Sequence, residues 1–187
     1  MNLINFAEKF KGFEEGEDIL VDTGILFAYY NRYDAYYDAV KNLFRNYIFH
    51  DSANLFLYVN PTIVNEISHL AKDPFVKYIK AKPSEAANLT PLDAVKMENI
   101  IVGNVKQLIQ SHVLLVLDGD DTSVLKQLAL YKKLGAADAV NASIANLFGT
   151  SFLTVDSRLA TNMKDIETEL PNVNNIYFTT GKHRSYY

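Results

Sequence analysis

Five short runs of strand-forming residues punctuate the chain: DILV (18–21), LFLYV (55–59), HVLLVL (112–117), SFLTV (151–155) and NIYFT (175–179). Stretches with helical spacing lie between them. This alternation constrains the fold more than any other feature. It predicts an α/β protein of three α/β/α layers, with a parallel twisted sheet of four or five strands. The chain has 187 residues, of which 49% are hydrophobic, so it can bury one sizeable core and is unlike a disordered segment. A single domain over 1–187 is expected, with a helical insertion at about 73–112.

The helical stretches carry their own boundary signals. In DAYYDAVKNLFRNYI, Tyr37, Val40, Leu43, Phe44, Tyr47 and Ile48 fall on one face. Asn60-Pro61 supplies a cap residue and a first-turn proline for the helix PTIVNEISHLAK, which is expected to end at Asp73-Pro74. Residues 74–89 read as irregular at KAKPSEAAN (80–88). Thr90-Pro91-Leu92-Asp93 resembles a capping box with Asp in place of Glu, opening a helix to about Gln110. A further helix runs from about Thr122 to Lys133 and breaks at Gly135. DAVNASIANLF forms the next, with Gly149 as its stop, and a short helix follows Asp156.

Composition removes several function classes. The chain has no cysteine, which excludes disulfides and Cys-rich zinc sites and fits a reducing compartment; a cytoplasmic location is expected. The N-terminal stretch lacks a basic segment followed by an apolar one, so no signal peptide is expected. The apolar runs fall far short of a membrane span. The net charge of −4 argues against sequence-independent coating of DNA, yet suits carboxylates gathered around a cation.

Other motifs lead nowhere. Glu66 and His69 have the E-x-x-H spacing of di-iron bundles, but no second such pair exists. DGDDTS (118–123) hints at a calcium loop, but Ala129 stands where that loop needs glutamate. Asp22-Thr23-Gly24 lacks the second aspartate of an aspartyl phosphatase. There is no phosphate-binding glycine loop and no G-x-S-x-G.

Four acids share a pattern. Asp22 and Asp156 each follow an apolar strand, Asp138 opens a helix, and Glu66 lies on the flank of an amphipathic helix just beyond a strand. Ligands of open parallel sheets bind beyond the carboxyl ends of the strands. Singly, Asp22, Asp138 and Asp156 also read as turn or cap residues, and Glu66 as an exposed helix position. Together they mark one edge. Carboxylates packed together repel, and a hard divalent cation such as Mg²⁺ or Mn²⁺ relieves that at neutral pH.

In this order, Asp22-Thr23 after the first strand, Glu66 in NPTIVNEISHL, Asp138 in AADAVNASIA and Asp156 in LTVDSRL, the sequence resembles the PIN-domain family. These are Mg²⁺-dependent ribonucleases that include the VapC-type toxins. The resemblance spans about residues 18–160. Tyr37 stands where many members carry a histidine, 73–112 is long for a compact toxin, and residues 1–16 and the tail TGKHRSYY have no counterpart.

The resemblance implies hydrolysis of RNA phosphodiester bonds with Mg²⁺ or Mn²⁺. Asp22, Asp138 and Asp156 would be metal ligands, with Glu66 holding or deprotonating a metal water. Thr23 and Thr154 would brace the carboxylates. Arg32 and Arg158 are candidate phosphate contacts, with Lys77, Lys80 and Lys82 as a second strip; each also reads as a solvated surface cation. The implied roles are the toxin of a toxin–antitoxin pair or an RNA-processing nuclease. RNA, an antitoxin protein and a second copy of the chain are the candidate partners, and no membrane. The rivals are a non-catalytic PIN-like module that binds RNA or protein, and a DNA-directed or flap-type nuclease.

Overall fold

The computed structural model describes residues 1–50 and 54–181; of the C-terminal tail, 182–187 lie outside the described residues. The strands are β1 (Asn2–Asn5), β2 (Asp18–Val21), β3 (Phe56–Val59), β4 (Leu114–Val116), β5 (Ser151–Leu153) and β6 (Asn175–Phe178). They form one all-parallel sheet in the order β1-β6-β5-β2-β3-β4. The helices are α1 (Thr23–Tyr30), α2 (Tyr37–Leu43), α3 (Pro61–Leu70), α4 (Asp73–Ala81), α5 (Pro91–Gln110), α6 (Asp121–Leu134), α7 (Ala136–Phe148) and α8 (Ser157–Asp165). The α/β/α expectation therefore holds. Ile19, Leu20 and Val21 are fully buried, as a central parallel strand covered on both faces requires.

The sheet has six strands rather than the four or five expected. The extra one is β1, whose NLIN carries only two apolar residues and stays half-exposed at the sheet edge. It is recognisable only through its partner. Asn2 lies opposite Asn175 and donates from Nδ2 to the Asn175 Oδ1 at 3.0 Å.

Residues 82–88 of KAKPSEAAN are irregular as expected, whereas residues 73–81 form a helix that was not expected. Asp73-Pro74 ends α3 and at once opens α4, with the proline in its first turn and Phe75 and Tyr78 buried on one face. The anticipated capping box of α5 is present: the Thr90 backbone N–H donates to Asp93 Oδ2 at 2.9 Å. The helix predicted over 34–48 is α2, continued by a π-helical turn at Phe44–Ile48. Val40, Leu43, Phe44 and Ile48 are buried, so the apolar face is the one expected. His112 adopts the left-handed conformation (φ 58°) as the chain leaves α5, which delays β4 to Leu114.

Gly135 joins α6 to α7 without a loop, at φ 98°. That angle suits glycine. Its consequence is that Asp138 stands in the first turn of α7. Among the described residues, no helix is long and apolar enough to cross a membrane.

The strand order locates the ligand edge. From β2 the chain builds outward through β3 and β4, then returns to the other side of β2 for β5 and β6. The order reverses between β2 and β5. Connections leave these two strands in opposite directions there, opening a crevice beyond their carboxyl ends.

Candidate active site at the switch point

Asp22 follows β2 at this reversal. It caps α1, its Oδ1 accepting from the Thr23 N–H at 2.8 Å. Its own N–H donates to the Leu153 carbonyl at 2.9 Å, which ties it to β5. Its Oδ2 accepts from the Thr154 hydroxyl at 2.6 Å. Only 9% of Asp22 is exposed. Burial pushes its carboxyl up to about 7, and the charges of Asp138 and Glu66 add to that, against the lowering effect of the Thr154 and Thr23 hydrogen bonds.

Thr154 joins two of the acids. Fully buried, its Oγ1 donates to Asp22 and accepts from the Asp156 N–H at 2.9 Å. Asp156 caps α8, Oδ1 accepting from the N–H groups of Arg158 at 2.9 Å and Leu159 at 3.0 Å. Thr23 reaches a different acid from the one beside it in sequence: its hydroxyl donates to Glu66 Oε2 at 2.6 Å. Asp138 is pushed up to about 6 by burial, then by the charges of Asp156 and Glu66.

Asp22, Glu66, Asp138 and Asp156 all line one pocket of about 570 Å³, together with Arg158 and Lys77. Among the described residues none of the four acids enters an ion pair. Glu17, at the amino ends of the strands, is a useful contrast. It accepts from Ser151 (2.5 Å), Asn175 (2.9 Å) and Tyr177 (2.7 Å), and is a structural carboxylate satisfied by neutral donors. The four acids are oxygen donors of the kind Mg²⁺ and Mn²⁺ take, and their unbalanced charge fits a divalent cation. Among the described residues, however, no three His, Asp or Glu side chains are gathered into a preformed metal shell.

The other residues named from sequence divide. Arg158 lines the acid pocket and a neighbouring recess of about 390 Å³ that also includes Lys132. Lys77 of α4 lines the acid pocket, whereas Lys82 pairs with Glu85 at 3.4 Å. Arg32 lies outside the acid pocket, donating from Nη2 to the Tyr33 hydroxyl at 2.9 Å in a separate cleft. The loop after α1 directs it there.

Sequence reasoning overlooked Asp34 and Tyr36, which line the acid pocket; Asp34 Oδ1 accepts from the Tyr36 N–H at 2.8 Å. An aspartate two residues before its donor is a recognisable Asx turn. It also overlooked Asn141. Asn60 caps α3 by accepting from the Ile63 N–H at 3.0 Å, and its Nδ2 donates to Asn141 Oδ1 at 2.8 Å. Both are fully buried. This bond pins α3, the carrier of Glu66, to α7, the carrier of Asp138. The Asn141→Ala protein is expected to lose about 1–3 kcal/mol, from the lost hydrogen bond and the buried void that the shorter side chain leaves; the unmet Asn60 Nδ2 takes the place of Asn141 Nδ2, which has no acceptor among the described residues. Calorimetry would register this as a melting temperature lower by roughly 3–10 °C; an unchanged value would remove the bond from the scaffold.

No family model matches the chain, and neither does any curated protein.

Proposed function

We propose that the protein is a divalent-cation-dependent ribonuclease of PIN type. One observation carries this reading: Asp22, Glu66, Asp138 and Asp156, from four separate segments, line a single pocket at the sheet's switch point, and none of these four enters an ion pair among the described residues. Asp22, Asp138 and Asp156 would hold Mg²⁺ or Mn²⁺, with Glu66 completing the set. When bound, such a cation supplies charge neutralisation at a phosphodiester and lowers the pKa of a coordinated water. Thr154 and Thr23 keep Asp22 and Glu66 turned as described, through their 2.6 Å hydrogen bonds. Glu66, half-buried on α3, is the group suited to take a proton from an attacking water. Arg158 and Lys77, on the pocket wall, offer positive charge to the phosphates of a bound strand. Toxin and RNA-processing roles both use this chemistry.

The absence of a preformed metal shell among the described residues favours the rival reading, a PIN-like module that binds RNA or protein without cutting. Incubation of end-labelled RNA with Mg²⁺, Mn²⁺ or chelator separates the two. Cleavage is expected with either cation, is expected to stop with chelator, and is expected to fall at least about 100-fold in Asp138→Asn, because even outer-shell losses at metal sites cost 10–100-fold. An intact RNA under every condition supports the binding module. Cleavage of DNA in preference to RNA supports the DNA-directed rival.

A further inference from the structure

A second cleft, of about 460 Å³, lies beside the acid pocket. Four of the chain's 12 tyrosines line it: Tyr29 and Tyr30 at the end of α1, Tyr33 in the following loop and Tyr37 opening α2. At helical spacing such tyrosines are usually core. Here each is half-buried and turned to a recess. The Tyr29 ring stacks on Phe44 at 4.2 Å and meets Tyr30 edge-on at 4.8 Å, so the aromatic wall is held from behind.

Cations surround these rings. Lys41 Nζ lies 4.0 Å from the Tyr29 ring centroid, and the Arg32 guanidinium 5.0 Å from that of Tyr33. Lys96 lines the same cleft, paired with Asp93 at 3.2 Å. Tyr29, Tyr37 and Lys41 continue into an adjoining recess that adds Arg45. Within a chain of net charge −4, the two recesses gather four cations against Asp38 and Asp93. Burial pushes the Tyr30 phenol up to about 12, so it stays a neutral hydroxyl on an apolar face.

The cleft and the acid pocket draw lining residues from the same segments. The loop between α1 and α2 turns Arg32 and Tyr33 into the cleft and Asp34 and Tyr36 into the pocket, and α4 gives Phe75 to one and Lys77 to the other.

We propose that the cleft is a subsite for single-stranded RNA, with a nucleobase stacked against Tyr30 and the adjoining phosphates on Arg32, Lys41 and Arg45. Aromatic faces accept any base, and the cations meet the backbone. The choice of RNA as the strand rests on the ribonuclease reading; the subsite itself rests on the cleft.

The test is fluorescence anisotropy of a 5′-fluorescein 12-nucleotide oligouridylate in chelator, where nothing is cut. The parent is expected to bind. Tyr30→Ala is expected to bind about tenfold more weakly and Tyr30→Phe close to the parent, as stacking rather than fold requires. Lys41→Glu is expected to bind about tenfold more weakly with a flatter salt dependence. Lys106→Glu, on the far face of α5 and equal in charge change, is expected to match the parent. Parental affinity in both Tyr30→Ala and Lys41→Glu, an equal loss in Lys106→Glu, or no binding by the parent overturns the subsite. Tighter binding of the matching DNA overturns the assignment to RNA. Because no divalent cation is present, these outcomes are independent of whether the acid pocket cuts.

Discussion

The Asp22→Asn protein is expected to be more stable than the parent at pH 8 and to have lost RNA cleavage. The two halves of this result come from the same carboxylate. Asparagine caps a helix about as well as aspartate, and the N–H of Thr23 retains an acceptor. Its amide group also keeps a hydrogen-bonding contact with the Thr154 hydroxyl, which can serve as acceptor. What disappears is a buried charge with no cationic partner. Moving a carboxyl from 3.8 to about 7 corresponds to about 4 kcal/mol of destabilisation once it ionises. Relief of half of that would raise the melting temperature by roughly 4–8 °C for a chain of this size. Cleavage is expected to fall at least about 100-fold, beyond the effect of losing an outer-shell partner.

Calorimetry in chelator and a cleavage assay in Mg²⁺ read the two effects separately. A loss of stability would mean that the ionised Asp22 is satisfied by Thr23 and Thr154 and serves as a cap. Cleavage at the parental rate would take Asp22 out of the mechanism. A gain in stability with lost cleavage is the trade-off expected of a functional group held at the expense of the fold.

Acidification should stabilise the metal-free protein, in contrast to most folds. Asp22 and Asp138 are raised in the folded state, to about 7 and about 6 from 3.8. The folded protein therefore binds more protons than the unfolded chain between about pH 4 and pH 7. Their contribution is fully present below the unfolded value and is lost as pH rises through 6 and 7. Glu167 and Asp93 are shifted the other way, by hydrogen bonds from Lys164 and from Thr90 respectively. Their contribution is present above their ordinary values of 4.5 and 3.8 and is lost on acidification below them, so it does not oppose the change between pH 8 and pH 5.

The melting temperature in chelator should thus climb by roughly 5–10 °C between pH 8 and pH 5, the change expected from about 2–3 kcal/mol. Millimolar Mg²⁺ or Mn²⁺ should raise it at pH 8 and have less effect at pH 5, where Asp22 and Asp138 already hold protons. A profile that is flat from pH 8 to pH 5, or an equal response to the cation at both ends, would show that burial in the pocket does not raise Asp22 and Asp138. Potassium at matched ionic strength controls for general screening.

Some of this architecture was readable because it is local. Apolar runs of strand length, the Asn60-Pro61 helix start, the Thr90–Asp93 cap and the Gly149 stop each depend on residues within one turn or one strand. Asp22, Asp138 and Asp156 were visible for the same reason, as carboxylates where an apolar run ends or a helix begins. The strand β1 was not visible, because Asn2–Asn5 has no apolar pattern and exists through its pairing with β6. The helix α4 was missed because Asp73-Pro74 carries both a stop and a start, and local chemistry does not choose between them.

Sequence alone determined the α/β class, most of the elements and the four acids, since periodicity, caps and strand-end carboxylates act over a few residues. The tertiary structure decided which of those residues meet. The order of the strands put Asp22 beside Thr154, 132 residues away, and Asn60 against Asn141, 81 residues away. It also turned Arg32 away from the acids and toward the tyrosines. These are outcomes of long-range burial, where the gain from closing a core selects one arrangement among many that local preferences leave equal.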